Sequence, residues 1–508
     1  MADDGRSSRD RPGSRPAGRG EAGTSGARGD RRAPRDRAGR STVAGDGKRR
    51  AAGKRAAGTS KAVSRRGEEP DREVRKLSAV KAPPAGEADE PALSQERLRE
   101  TMQQSIALIL ISSAALLIIG VVMVYSATAP SVIRDAHLSG RVATFETGNL
   151  QLGYALAGVV LAVVASFIPL RVYQRFAGFI FFAGVVLQLL VLTPLGTSAL
   201  GNTNWIRLFG PIRIQPSEFL KLATIVWLAV QLGRVRDNDW RLRAFVFPNW
   251  PVVPQAIRGQ SFMPAGTGAI VGLVAILAGQ DMGTAMVYGL ICSGIFWLAG
   301  MPRRYFLAIV GTALFGSAVL IAMNFSRLNR VREYVSTLVG MPDSSDPKQI
   351  DFALWAFGSG GLSGGGLGTG IEKWPGNLAE AKNDFIFAVI GEELGMLGCL
   401  VVILMFVVLG WGLMRICLAH PSRVASLACG GAAIWICGQA IANMLVVTGV
   451  VPVFGVPLPF VSQGGSAVVA CLLAVGFAVC CARSAPGMGR TSRVSGRLAY
   501  RARAVVKG

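Results

Sequence analysis

The sequence predicts an all-α polytopic membrane protein with ten transmembrane helices. Three observations carry that reading. The 508-residue chain is 51% hydrophobic and only 17% charged, with a mean hydropathy of +0.40, whereas ordinary soluble chains are about 25% charged. Its first hundred residues are among its most polar, so the remainder is more apolar still. That remainder divides into ten apolar runs of the length a bilayer requires, about 20 residues each.

Residues 1–103 are rich in Arg, Gly, Ala, Asp and Pro and nearly free of aromatic residues. Such a stretch cannot bury enough apolar surface to fold alone, so a disordered basic cytoplasmic tail is expected. It reads as a solvated extension, or as a docking segment for partner proteins or anionic lipid. No early apolar run marks a signal peptide, which makes the first span an uncleaved anchor.

The membrane domain is expected over 104–484, with spans near 105–126, 151–169, 176–194, 217–233, 264–279, 282–300, 305–323, 385–412, 424–447 and 465–483. The fifth is short. Arg171 and Arg175 follow the second span, Arg234, Arg236, Arg241, Arg243 and Arg258 the fourth, Arg303 and Arg304 the sixth, and Arg415 and Arg423 the eighth. A basic C-terminal tail, 485–508, follows the last span. All these cations fall on the side of the N-terminal tail, so both termini are predicted to be cytoplasmic. The net charge of +23 is thereby explained without nucleic acid.

Function classes narrow further. The eight cysteines lie in apolar runs or at their inner ends, with neither disulfide nor zinc-ligand spacing. The two histidines, His137 and His420, fall on opposite sides of the membrane, against a Ser-His-Asp triad, a histidine-based zinc site or a haem. Acid–base work is left to carboxylates or lysines.

The large outer loop, 324–384, breaks the charge rule. It carries Arg327, Arg330, Arg332, Lys348, Lys373 and Lys382 outside. These either bind an anionic headgroup or pyrophosphate, or simply balance the acidic residues of the same loop. The run GSGGLSGGGLGTG, 358–370, lacks the Gly-Lys-Ser/Thr ending of a nucleotide loop and is expected to be a mobile loop shaping a lipid groove. The loop ends at Asp384, just before the eighth span, which carries Glu392 and Glu393. Charged groups within a span mark function by default. Asp384 at the outer mouth suits a general base, or a helix cap, and Glu392 or Glu393 suits bonds to backbone or arginine inside the bundle.

Three further stretches complete the candidates. In GNTNWIRLFGPIRIQPSEFLKL, 201–222, Trp205 suits the membrane interface and Arg207 and Arg213 are cations beside it. Glu218 and Lys221 share a helix face, either as an ion pair or with Lys221 on a substrate phosphate. Asp281 in QDMGT caps the sixth span. In GVVPVFGVPLPFVSQGGSA, 449–467, the prolines forbid a regular helix. Backbone broken at this depth must line a cavity or be buried in protein, so Ser462 and Gln463 read as a cavity wall.

Four of these stretches, NWIRLFGPIRIQPSEFLK, QDMGTA, NDFIFAVIGEELG and VPLPFVSQGGS, occur in the order found in the SEDS family (FtsW, RodA and SpoVE), which this chain resembles over about 105–483. The resemblance implies a peptidoglycan glycosyltransferase that polymerises lipid II with a class B penicillin-binding protein of the FtsI type. It implies that Asp384 is the essential aspartate, that Trp205, Glu218 and Lys221 are second-loop site positions, and that Asp281 is the aspartate of the family's QPDLGT motif. Arg207, Lys373, Lys382, Ser462 and Gln463 complete the expected substrate contacts. Lys382, Asn383 and Gln463 replace residues usual in the family, and Gln280 replaces a proline. A divalent cation, Mg2+ or Mn2+, is compatible with such a reaction, but the sequence holds no dedicated metal cage. The long basic tails resemble the division members of high-GC Gram-positive bacteria, which implies a septal site and tail contacts to other divisome proteins. A lipid flippase, a non-catalytic scaffold and an elongation-type polymerase are the alternatives.

Overall fold

The computed structural model describes residues 90–488, without 141, 143, 200–201, 210–211, 235–262, 324, 339–346 and 379. The expectations for residues 1–89, for Arg236, Arg241, Arg243 and Arg258 and for the chain from 489 onward lie outside the described residues.

The first helix, α1, runs Glu90–Ser139 and so begins inside the segment expected to be disordered. Pro91 sits in its first turn, a favoured place for proline, and Met102 is fully buried. The chain continues through α2 (Glu146–Phe167) and α3 (Leu170–Leu189), which a 3-10 turn, Leu190–Leu192, extends. One short sheet departs from the all-α expectation in this mostly helical chain. Strands β1 (Gly196–Ala199), β2 (Asn202–Phe209) and β3 (Ile212–Ile214) form an antiparallel sheet in the order β1-β2-β3. Alternation explains it: Asn204 and Ile206 are buried while Arg207 is exposed, the period of two that a sheet with one covered face requires.

Helices α4 (Pro216–Leu232), α5 (Met263–Ala278), α6 (Met282–Leu298) and α7 (Arg303–Ala322) follow, then α8 (Phe325–Leu338) and α9 (Gln349–Gly360). The last three are α10 (Ile386–Ala419), α11 (Arg423–Val447) and α12 (Gly465–Arg483). Seven described helices, α1, α2, α3, α7, α10, α11 and α12, are long and apolar enough to cross a membrane, and α5 and α6 are shorter apolar helices. The 17-residue α4 buries Glu218 and Lys221.

The helices are not equivalent. In the most apolar stretch of α12 89% of residues are buried and in that of α11 67%, whereas in that of α7 none is. Small residues let α12 take the centre. A side chain at Gly476 would strike the backbone of Ala162, and one at Gly158 would strike Leu472, so α2 and α12 pack almost backbone to backbone.

Candidate active site

The eighth expected span, α10, is not one regular helix. Gly395 adopts φ 66° and ψ −168°, a conformation that only glycine takes readily, and the helix breaks there. The freed backbone groups need partners at this depth, and the glycine-rich stretch after α9 supplies them. The N–H groups of Gly365 and Gly366 donate to the carbonyls of Glu392 and Glu393, at 3.0 and 2.9 Å. Those of Met396 and Leu397 donate to the carbonyls of Gly361 and Leu362, at 2.9 and 3.2 Å. Gly364, at φ 79°, lies so close to Glu393 that a side chain would collide with its carbonyl. The stretch expected to be a mobile groove loop is therefore a packed splint on α10, and its glycines allow that close approach.

Two carboxylates sit beside this splint: Glu392 bonds backbone, whereas Glu393 bonds a serine and a lysine in place of the backbone or arginine expected. Glu392 accepts the backbone N–H groups of Ile371 and of Glu372, the latter at 3.1 Å. Glu393 accepts the Ser126 hydroxyl from α1, at 2.6 Å to one oxygen, and forms a buried ion pair with Lys373. The Lys373 ammonium also donates to Ser126 Oγ, at 3.0 Å. Lys373, expected on substrate, is thus sealed in an ion pair that ties the outer loop to α1 and α10.

Asp384 lies just ahead of α10. It is not a cap, since the helix begins at Ile386 and its N-cap residue is Phe385. Its backbone is held from two sides. Asn443 of α11 donates to the Asp384 carbonyl and to the Val456 carbonyl, both at 2.7 Å. The Ser462 hydroxyl donates to the Asn383 carbonyl at 2.6 Å, and the Gln463 N–H to the Lys382 carbonyl at 2.9 Å. Gln151 of α2 fixes the same wall by donating to the Ser462 carbonyl and accepting from Gly464 N–H. Ser462 and Gln463 therefore buttress Asp384 through backbone contacts.

The Asp384 carboxylate itself accepts no hydrogen bond among the described residues. It is half-buried and faces Gly455, where an added Cβ would stand 3.6 Å from its Oδ2. Burial first, then the negative charges of Glu380 and Asp281, push its pKa up to about 7. Lys382, two residues earlier in the chain, is half-buried and forms no ion pair among the described residues.

Asp281 is the opposite case. It caps α6 as expected, its carboxylate accepting Thr284 N–H at 3.0 Å, and it also takes the Thr284 hydroxyl at 2.7 Å. Asn204 of β2 and Gln215 at the foot of β3 donate to it at 2.9 and 3.1 Å. Gly283 lets this helix end slide beneath the irregular 449–464 segment, because a side chain there would meet the Phe454 and Gly455 carbonyls. Asp281 is thus a saturated anion that joins the sheet to the site.

Glu218 and Lys221 form the ion pair that their spacing allows, at 2.8 Å and fully buried. Lys221 also donates to Gln439 Oε1 at 2.8 Å and lies 5.0 Å from the centroid of the Trp435 ring. Gln439 in turn donates to the Pro457 carbonyl at 2.9 Å, so this pair holds up the wall below Asp384. Trp205 is half-buried and Arg207 exposed, on the face of β2 turned away from Asn204.

Sequence reasoning missed Ser126, Gln151, Asn204, Gln215, Glu380, Gln439 and Asn443. The signal for Gln439 and Asn443 was present: two amides four residues apart within an apolar run.

Comparison with known proteins fits this geometry. Residues 106–485 match the family model for FtsW, RodA and SpoVE, described as a cell cycle protein. A Mycobacterium tuberculosis relative named "Probable peptidoglycan glycosyltransferase FtsW" is 32% identical over 388 residues, 75% of this chain and 68% of its own length. A relative of the same name from Geobacter sulfurreducens is 34% identical over 72% of this chain and 92% of its own. Among solved structures, a chain of a peptidoglycan synthase complex that coordinates polymerization and crosslinking superposes with TM-score 0.57 at 22% identity, covering 74% of this chain and 96% of that one. The rod shape determining protein RodA of Thermus thermophilus gives 0.52 at 23% identity, covering 74% and 96%. At such identities the shared property is the fold, that of a multi-pass membrane protein.

Proposed function

The chain belongs to the FtsW, RodA and SpoVE family, and from that premise we propose that it is a peptidoglycan glycosyltransferase that polymerises lipid II, with Asp384 as general base. The relatives' names support the reaction class. The observation that carries the residue is the half-open Asp384 carboxylate, pushed up to about 7 and without a hydrogen-bond donor among the described residues.

The reaction is one displacement. Asp384 takes the proton from the 4-hydroxyl of the acceptor sugar. That oxygen attacks the anomeric carbon of the donor and expels polyprenyl pyrophosphate. The donor linkage is α and the product β, so a single inversion suffices and no covalent enzyme intermediate forms. A base whose pKa lies near the working pH combines ready ionisation with useful basicity, and such help contributes roughly 10²–10⁴-fold. We assign to Lys382, two residues before the base, the task of meeting the charge that develops on the leaving pyrophosphate. Were a divalent cation, Mg2+ or Mn2+, to accompany that pyrophosphate, Glu380 is the neighbouring carboxylate that would hold it, with one oxygen already accepting from Asn383. Asp281 would not, because its oxygens are already committed to four donors.

The topology follows the same reading. Adding α4, α5 and α6 to the seven longer helices gives ten spans, with both termini cytoplasmic and Asp384 at the outer face. The kinship with a chain from a synthase complex supports a crosslinking partner, which we assign as a class B penicillin-binding protein of the FtsI type. The basic tails and the FtsW names of the relatives support work at the division septum, with the tails meeting other divisome proteins.

The test uses purified protein with its penicillin-binding partner on labelled lipid II. Glycan ladders from wild type and none from a folded, partner-binding Asp384→Ala are expected. Equal ladders from both would remove Asp384 from catalysis, and no ladders from wild type would favour a flippase or scaffold.

A further inference from the structure

Arg207 and Arg213 are directly opposed across the β2–β3 ladder. Opposed residues of an antiparallel pair leave the sheet on the same face. Both side chains are exposed, and neither forms an ion pair among the described residues. Like charges in this arrangement repel and weaken the pairing of their strands. An anion shared by the two removes that repulsion, and guanidinium groups are well suited to the oxygens of a phosphate.

The position of the sheet says which anion. Its other face belongs to the active site, where Asn204 reaches Asp281 and Ile206 is buried. The arginines therefore face away from Asp384. Trp205, two residues before Arg207 on the same strand face, is the residue type that settles at the level of lipid headgroups. The sheet itself joins the end of α3 to the start of α4, at the mouth of two helices of the membrane domain. The end of a membrane span is the level of the lipid headgroups. We propose that the outward face of this sheet binds the phosphate of an anionic glycerophospholipid between Arg207 and Arg213, with Trp205 at the interface beside it. This gives Arg207 a ligand other than the lipid-linked donor. It rests on the sheet lying at the membrane surface and is independent of the role of Asp384.

The test places the full chain in nanodiscs of phosphatidylcholine, with or without phosphatidylglycerol, and compares wild type with Arg207→Glu. The substitution turns the repelling pair into an Arg–Glu pair, which preserves the sheet and removes the anion site. Native mass spectrometry should show a phosphatidylglycerol adduct retained by wild type and lost from Arg207→Glu. Phosphatidylglycerol should raise the thermal midpoint of wild type more than that of the variant. In phosphatidylcholine alone the variant should melt no earlier than wild type. Equal adducts on both proteins, or an earlier melt of the variant in neutral lipid, would overturn the proposal. So would displacement of the wild-type adduct by undecaprenyl pyrophosphate, which would return the arginine pair to the substrate.

Discussion

Asp281 and Asp384 are neighbours, close enough for the charge of the first to raise the pKa of the second, yet they are built in opposite ways. Asp281 is buried beneath four hydrogen-bond donors from α6 and the sheet. Asn443 holds the Asp384 backbone and Ser462 that of Asn383, while the Asp384 carboxylate accepts no hydrogen bond among the described residues. The same contrast separates Asp384 from Glu393, which is locked to Lys373 and Ser126. A carboxylate whose oxygens are all occupied has no lone pair to offer a substrate, and serves as a fixed charge or a strut. One that is held by its backbone and free at its oxygens can take a proton. Residue type alone does not distinguish these roles; the hydrogen-bond inventory does.

Breaking each side of the comparison should give a different symptom. Asp384→Ala should lower kcat by roughly 10²–10⁴-fold with the thermal midpoint nearly unchanged, measured by glycan synthesis and by thermal unfolding in the same lipid. Lys373→Met should do the reverse. It strands a buried glutamate, and breaking such a pair costs about 3–5 kcal/mol, so the midpoint should fall sharply. Replacing both Lys373 and Glu393 with apolar residues should recover much of that loss. Gly395→Ala should also destabilise, by about 1–3 kcal/mol from backbone strain alone, with a further cost from collision against Gly364 and Leu362.

A smaller test concerns Gln280, whose φ of 62° is the left-handed region that a side chain disfavours. Gln280→Gly should stabilise by about 1 kcal/mol. Gln280→Pro, the residue usual in the family, should destabilise, because the proline ring fixes φ near −65°.

How far the sequence foretold this arrangement depends on whether the cause was local. The helix starts at Pro216 and Asp281 were legible because proline and a capping carboxylate act within one turn. The sheet was not legible as an alternation: Asn204-Trp205-Ile206-Arg207 reads polar, apolar, apolar, polar, and the buried positions are an amide and an isoleucine. The start of α1 at Glu90 was hidden because its first turns are polar, although Pro91 and the following Gln, Glu, Arg and Leu residues favour a helix. The break at Gly395 was not legible. A glycine in an apolar run is ordinary, and what makes this one a hinge is a backbone segment some thirty residues earlier in the chain. For the site, chemistry-bearing residues could be named from their cost in a membrane, but not sorted. Lys373 was expected on substrate, Lys221 there or in an ion pair, and Asp281 there or as a cap; the folded contacts put all three on protein partners.

The most direct test of the central contrast is the pH dependence of glycan formation under single-turnover conditions, for wild type and Glu380→Gln with the penicillin-binding partner present. Asp384 must be ionised to accept a proton, so wild-type activity should be low in acid and rise through a pH of about 7. Glu380→Gln removes the larger of the two neighbouring charges that hold this pKa up, so the rise should move to lower pH, by roughly a unit or less. A wild-type rate that is level across this range, or a limb that does not move in Glu380→Gln, would contradict the assignment of the bare carboxylate as the base.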